Sequence, residues 1–301
     1  MGLISALGGM FGSGPSRNAA VDHAFEVIAK TVDPTISGLA NSRDALQPAV
    51  EQALSFYDRS IAAIPGPIAV DATTYQNSVV LKSLFGRSEE ISEALGRSLA
   101  LRSSIRWFVD NNHDDVFAIL GMRVRPGSPG GFVDHTFRSL GTSEQDSREC
   151  LREAAFASLV KAFDARTKEK RREWRLRRTD ARISDELRSR NGDEPALPFT
   201  EDLRDEILDR HAGGEHDLTP ARALAALIEW LQRPEKQLQV ETSDGHPLVG
   251  AVADDGRGEL HMPTLACTDR RKWVVCITRF SLPEALAAIN QESQPHRYIL
   301  I

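Results

Sequence analysis

Residues 272–280, Lys-Trp-Val-Val-Cys-Ile-Thr-Arg-Phe, are the most strand-like run in this chain of 301 residues. β-Branched and aromatic residues follow one another there without helical spacing, which predicts a buried strand. The next four residues, Ser281-Leu-Pro-Glu284, predict the start of a helix, because they combine a capping serine, a proline in the first turn and an acid three residues after the serine. Alternation at 237–241 and an apolar end at 297–301 predict further strands. Residues 236–301 therefore predict a small α+β domain.

Upstream of this region, the apolar residues recur at helical spacing. One stripe ends before Asp33-Pro34, and a second runs from Leu46 to the stop at Pro65-Gly66-Pro67. A third stripe opens at Ser88, and Asn111 or Asn112 is expected to cap a further short helix through Val116, Phe117 and Leu120. Residues 18–139 therefore predict an all-α domain, preceded by an apolar segment at 1–17.

The middle of the chain is strongly polarised in charge. Residues 166–190 contain eleven basic and five acidic side chains, whereas residues 191–217 contain nine acidic and two basic ones. Turn-forming residues at 191–198 separate the two segments. We therefore expect a long charged helical hairpin over 140–233, with coiled-coil character, that projects from the body.

Together these patterns predict a mainly α protein with a small α+β C-terminal domain. The expected order is a helical domain, the projecting charged hairpin and a short mixed sheet with one helix.

Composition excludes several classes of protein. The apolar fraction of 41% is enough for a sizeable core, and the net charge of −6 argues against a surface that is basic throughout, as a nucleic-acid coat would need. The three cysteines form no paired framework, which favours a reducing compartment and hence the cytoplasm. No run approaches the roughly 18 apolar residues of a spanning helix.

The apolar start of the chain allows two interpretations. Leu3, Ile4, Leu7 and Phe11 fall at helical spacing without an intervening charge, which is typical of a segment that touches a membrane surface or another subunit. The favoured alternative is a terminal helix that folds back on its own core, or a frayed terminus.

The candidate site is the basic run 168–178. Its expected binding residues are Lys170, Arg171, Arg172, Trp174, Arg175 and Arg178. One interpretation is a helix that contacts phosphates, with the tryptophan stacked on a base or placed at a lipid interface. The favoured interpretation is a solvated helical arm that is neutralised by the following acidic segment and serves as a surface for a protein partner.

Catalytic signals are weak. His113-Asp114 is the best of them, because His-Asp pairs hold metals in some phosphohydrolases, and His23, Asp134 or Asp164 would complete such a set. A capping role explains these residues better. The histidines in 211–217 lack the fixed spacing of a helical zinc site, and Cys150 and Cys276 are expected to be packing thiols. No cofactor or metal is expected.

These observations favour a cytoplasmic interaction or scaffold protein that binds a protein partner or self-associates through the hairpin. The first alternative is a module for nucleic acid or an anionic membrane that uses helix 168–178, nucleic acid being the less favoured partner. The second alternative is a metal-dependent hydrolase that uses His113 and Asp114.

Overall fold

The computed structural model describes residues 17–125, 131–190, 219–252, 259–267 and 272–292. Three predicted features lie outside these residues. They are the apolar start with Leu3, Ile4, Leu7 and Phe11, the acidic segment 191–217 with its histidines, and the last strand at 297–301.

Within these ranges the structure contains nine α-helices and six strands. The helices are α1 (Arg17–Thr31), α2 (Pro34–Ser37), α3 (Ser42–Ala62), α4 (Val79–Leu84), α5 (Ser88–Arg97), α6 (Leu99–Asp110), α7 (Glu144–Arg190), α8 (Pro220–Leu231) and α9 (Leu282–Glu292). The strands are β1 (Ile68–Ala69), β2 (Asp115–Val124), β3 (Phe132–Gly141), β4 (Leu238–Val252), β5 (Glu259–Cys267) and β6 (Lys272–Ser281).

All six strands belong to one sheet in the order β3-β2-β6-β5-β4, with β1 also beside β6. Strand β2 pairs antiparallel along β6 from Asp115↔Ser281 to Met122↔Val274. Two strands share the other edge of β6: β5 pairs antiparallel with its beginning, and β1 pairs parallel with Thr278 and Arg279. The strand predicted at 272–280 is therefore confirmed, and it is the centre of the sheet.

The predicted fold class is wrong. Strands β2 and β3 come from the end of the segment that was expected to be all helical, and β2 pairs with β6 along its length. The C-terminal strands therefore share their sheet with the middle of the chain and form no separate sheet of their own. Only the coarser statement holds, that helices and a sheet are combined.

The expected helix through Val116, Phe117 and Leu120 is strand β2 instead. Asn112 has a φ of 53° and follows the end of α6, where the backbone N–H of His113 returns to the carbonyl of Phe108 at 3.1 Å. An asparagine with positive φ after the last helical residue ends a helix rather than starting one. The asparagine signal therefore belonged to the preceding helix.

Strand β3 escaped prediction because it contains two β-bulges. Asp134 and Ser139 have φ values of 58° and 51°, and the pairing with β2 shifts by one residue near each of them. Each extra residue breaks the alternation of a strand. As a result, the buried Phe132, Phe137 and Leu140 are spaced five and three residues apart, which does not resemble a period of two.

The projecting hairpin expected over 140–233 is not confirmed either, and its expected start is wrong. Residues 140 and 141 end β3, and α7 then runs as one helix from Glu144 to Arg190. The return arm falls within 191–217, outside the described residues.

The chain divides into two compact units, each held together by its own internal contacts. The first contains residues 17–20, 54–156 and 235–292 of the described chain, and hence the sheet. On one face of the sheet, helices α4, α5, α6 and α9 bury a core that includes Leu95, Phe108, Leu120, Phe137 and Phe280. The third predicted stripe forms two helices here, because Ser98 caps α6 through its hydroxyl and leaves Leu99 76% exposed.

The second unit comprises residues 21–53 and 157–234 and is helical where it is described. Helix α1 buries Val21, Ala24 and Ile28, as its stripe predicted. The indole N–H of Trp230 in α8 donates to the carbonyl of Leu159 in α7 at 2.9 Å. This contact fixes α8 against the part of α7 that precedes the basic run.

Candidate interaction site

Helix α7 begins with a local capping pattern in its own sequence. The Ser143 hydroxyl accepts a hydrogen bond from the backbone N–H of Asp146 at 3.1 Å, and the Asp146 carboxylate accepts one from the N–H of Thr142 at 3.0 Å. This reciprocal arrangement satisfies backbone donors that the first turn would leave unpaired. It sets the register of the long helix at its start.

The buried side of α7 ends at Phe163. Leu159, Val160 and Phe163 are buried, and the ring of Phe163 lies 6.4 Å from that of Trp230. After Phe163, no side chain of α7 whose exposure the structure describes is buried. The helix nevertheless continues to Arg190, about 40 Å further at the usual rise of 1.5 Å per residue.

Two ion pairs anchor the start of the basic run. Lys168 contacts Asp164 one turn earlier at 2.6 Å, and Arg171 contacts Asp33 at 2.6 Å. The Asp33 carboxylate also caps α2 by accepting bonds from the N–H and hydroxyl of Thr35. The Thr35 bonds, and then the Arg171 guanidinium, lower the pKa of Asp33 to about 2.

The structure separates the predicted binding residues into three groups. Arg171 is half-buried against Asp33, whereas Lys170 and Arg172 are exposed and form no ion pair within the described part of the chain. The backbone of α7 continues through the positions of Trp174, Arg175 and Arg178, whose side chains lie outside the described residues. Lys170 and Arg172 therefore offer cations that no described carboxylate neutralises.

Leu176 is the feature that sequence analysis missed. Its side chain is 55% exposed, one turn after Arg172. Lys168, Arg172 and Leu176 are spaced i, i+4 and i+8, and side chains at that spacing lie above one another on one helix face. We call these three residues the outer row. Lys161 and Ala165, both exposed, lie on the same side of the helix.

His113 and Asp114 lie between α6 and β2. The His113 ring stacks on Trp107 with centroids 5.3 Å apart, and the Asp114 carbonyl accepts the backbone N–H of Leu282 at 2.8 Å. Among the residues described, no three His, Cys, Asp or Glu side chains lie together as a metal would require. The pair thus joins the end of α6 to the starts of β2 and α9.

The cysteines with described side chains are packing thiols, as predicted. Cys276 is fully buried in β6, and burial raises its pKa to about 12. Cys150 donates to the Leu140 carbonyl at 3.5 Å, and burial raises its pKa to about 12 as well. Both thiols therefore stay protonated at neutral pH.

A polar cleft of about 420 Å³ was also missed. It lies where β1 and β6 end, and its lining includes Asp71, Ser92, Ser281 and Glu284. The sequence indicated that Ser281 caps α9, and the serine does accept the N–H of Glu284 at 3.3 Å. It gave no sign that the Glu284 carboxylate accepts the N–H of Ala72 at 2.8 Å, since 212 residues separate them.

Glu284 should make stability depend on pH. Desolvation raises its pKa above the ordinary 4.5, the Ala72 N–H opposes that rise, and the charge of Asp71 adds to it. A raised folded-state pKa means that the ionised carboxylate destabilises the fold at pH values above the ordinary pKa. Glu284→Gln keeps an acceptor for Ala72, so we expect its Tm to exceed that of the parent at pH 7. The gain should vanish as the pH falls below 4.5.

Thermal unfolding between pH 3.5 and 7.5 checks this expectation. Asp71→Asn is the matched control, because it removes the neighbouring charge and should shrink the gain that Glu284→Gln produces at pH 7. A Glu284→Gln variant that is less stable at pH 7 would contradict the assignment.

Comparison with known proteins provides no relative: no family model, curated protein or solved structure matches the chain significantly. None of the described helices combines the length and apolar character needed to cross a bilayer.

Proposed function

We propose that this chain is an interaction protein that binds a protein partner through the part of α7 that follows Phe163. One observation carries the proposal: after Phe163 no described side chain of α7 is buried, but the helix continues to Arg190. Ordering such a helix costs conformational entropy that exposed side chains repay poorly. A surface for a partner explains why this stretch carries Lys170 and Arg172, which form no ion pair within the described part of the chain.

Self-association through this segment alone is disfavoured by charge. Residues 166–178 contain eight basic and two acidic side chains. Two copies that paired through them would place like charges opposite one another, and this is destabilising. A different partner surface therefore fits better than a second copy of the same helix.

The free thiols of Cys150 and Cys276 support a reducing location, and we propose the cytoplasm.

Mass measurement tests the proposal. The chain is purified natively from its source and weighed by native mass spectrometry, alongside a Lys170→Glu/Arg172→Glu variant. We expect the parent to run in a complex heavier than the 33.2 kDa chain, and the variant to run at 33.2 kDa, because reversed charges repel the partner.

Arg87→Glu/Arg106→Glu is the matched control. Both arginines are exposed, both lie in the first unit, and the change in net charge is the same. The control should leave the complex intact. A parent that runs as a 33.2 kDa monomer, or a complex that both variants disrupt equally, would overturn the proposal.

A further inference from the structure

We infer that the outer row of α7 docks an acidic helical segment of a partner protein, with carboxylates opposite Lys168 and Arg172 and an apolar side chain opposite Leu176. The inference rests on the proposed function and adds the face that is used and the chemistry of the partner.

The face follows from the geometry of the helix. At about 100° per residue, the outer row lies roughly opposite the side that buries Phe156, Val160 and Phe163. The side chain of Lys168 is 71% exposed, that of Leu176 is 55% exposed, and Arg172 is exposed as well. The row therefore offers the guanidinium of Arg172, the ammonium of Lys168 that already binds Asp164, and one apolar group in line, on the side of α7 that the described part of its own unit does not cover.

Carboxylate recognition already occurs on this helix. Arg171 binds the Asp33 carboxylate at 2.6 Å, and Lys168 binds that of Asp164 at the same distance. Arg172, one residue from Arg171, has the same chemistry but forms no ion pair within the described part of the chain. A guanidinium with free donors binds a carboxylate through two parallel hydrogen bonds. An acidic side chain on a partner is the matching group.

Leu176 distinguishes a polypeptide from other anions. An exposed leucine beside arginine gains from burial against an apolar side chain, but a phosphodiester backbone offers it no such contact. A partner helix brings apolar and acidic side chains together at the same i, i+4 spacing.

A lipid surface is the weaker match. Interfacial helices bury a broad apolar face and keep their charges on the other side. Here Lys168, Glu169, Lys170, Arg172 and Glu173 are all exposed and point to different sides of the helix. No broad apolar face is present over this described stretch of α7.

Fluorescence anisotropy with the full chain tests the inference. The main probe is a labelled helical peptide of about 20 residues, long enough to be partly helical, built from Ala, Glu and Leu with Glu, Glu and Leu at i, i+4 and i+8. We expect Arg172→Glu to weaken its binding about tenfold, and Leu176→Ser to weaken it by a similar factor that salt changes little.

Arg106→Glu is the matched control. It makes the same charge change at an exposed arginine of α6, outside α7, and we expect less than about a threefold effect. Circular dichroism and Tm establish that each variant is folded. Equal losses for Arg106→Glu and Arg172→Glu, or no loss for Leu176→Ser, would overturn the inference.

Competing probes decide the class of partner. Single-stranded polythymidylate of about 20 nucleotides and phosphatidylcholine vesicles with about 30% phosphatidylserine are titrated under the same conditions. Tighter binding to either of them than to the peptide would also overturn the inference. If the native complex dissociates on charge reversal but the acidic peptide does not bind, the proposed function stands and this inference fails.

Discussion

Replacing Phe137 and Phe280 by alanine should produce destabilisations that are not additive. Phe137 lies on β3 and Phe280 on β6, with β2 between the two strands, and both side chains are at most 2% exposed. Their ring centroids are 5.2 Å apart at an interplanar angle of 67°, an edge-to-face arrangement. Each single variant should lose about 3–5 kcal/mol of unfolding free energy through the lost burial and the cavity. The double variant should lose about 0.5–1.5 kcal/mol less than the sum of the two.

Urea unfolding followed by fluorescence and far-UV circular dichroism provides the free energies. In case an alanine variant does not fold, the double-mutant cycle is repeated with Phe137→Leu and Phe280→Leu. Each of these should lower the unfolding free energy by only about 1.5 kcal/mol or less. If residues 18–139 and 236–301 formed independent domains, the losses would add within error. Additive losses in both cycles would therefore contradict the single sheet.

Local signals account for the elements that sequence analysis placed correctly. The strand at 272–280 and the helix start at 281–284 depend on side chains that are adjacent in sequence, a β-branched run and a capping serine. Both appear in the structure as β6 and α9. The predicted helical stripe that ends before Asp33-Pro34 is confirmed in α1, because its apolar residues recur at short range along the sequence.

Non-local pairing accounts for what was missed. Strand β1 has only two residues, Ile68 and Ala69, and it exists because β6 offers them a free edge. The bulges at Asp134 and Ser139 erase the alternation by which β3 would be recognised. Periodicity describes one element at a time, so it placed β2 and β6 in different domains although they pair with each other.

The candidate site shows the same contrast between features that local sequence predicts and features that depend on non-local contacts. The absence of large apolar residues between Phe163 and Trp174 predicts that this stretch of the helix is solvated, and the exposures of Lys170 and Arg172 agree with that expectation. The pairing of Arg171 with Asp33 spans 138 residues, and nothing in either local sequence indicates it. The helix could therefore be predicted, but its division into a half-buried arginine and an outer row required the packing of α7 against its own unit.

Replacing Gly66 by alanine should destabilise the fold by about 3–5 kcal/mol, a large part of the 5–15 kcal/mol that typical domains possess. Gly66 has a φ of 134°, which residues with a side chain rarely adopt, and it lies against the centre of the sheet. A Cβ at this position would clash with the Ile277 carbonyl oxygen and lie 2.8 Å from the Ile277 Cβ. The adjoining Pro65 carbonyl accepts the Ile277 N–H at 2.8 Å, so the loop cannot withdraw without losing that bond.

Gly86→Ala is the matched control. A Cβ there would approach only the end of the Glu90 side chain, at 3.2 Å, and that side chain can move. We expect its unfolding free energy to change by no more than about 0.5 kcal/mol. Urea titration of both variants makes the comparison, and hydrogen exchange at the Ile277 amide reports the local effect. Because β6 carries the pairings of β1, β2 and β5, displacing it at Ile277 should weaken the whole sheet. Equal stabilities for the two alanine variants would refute the close approach of residue 66 to the central strand.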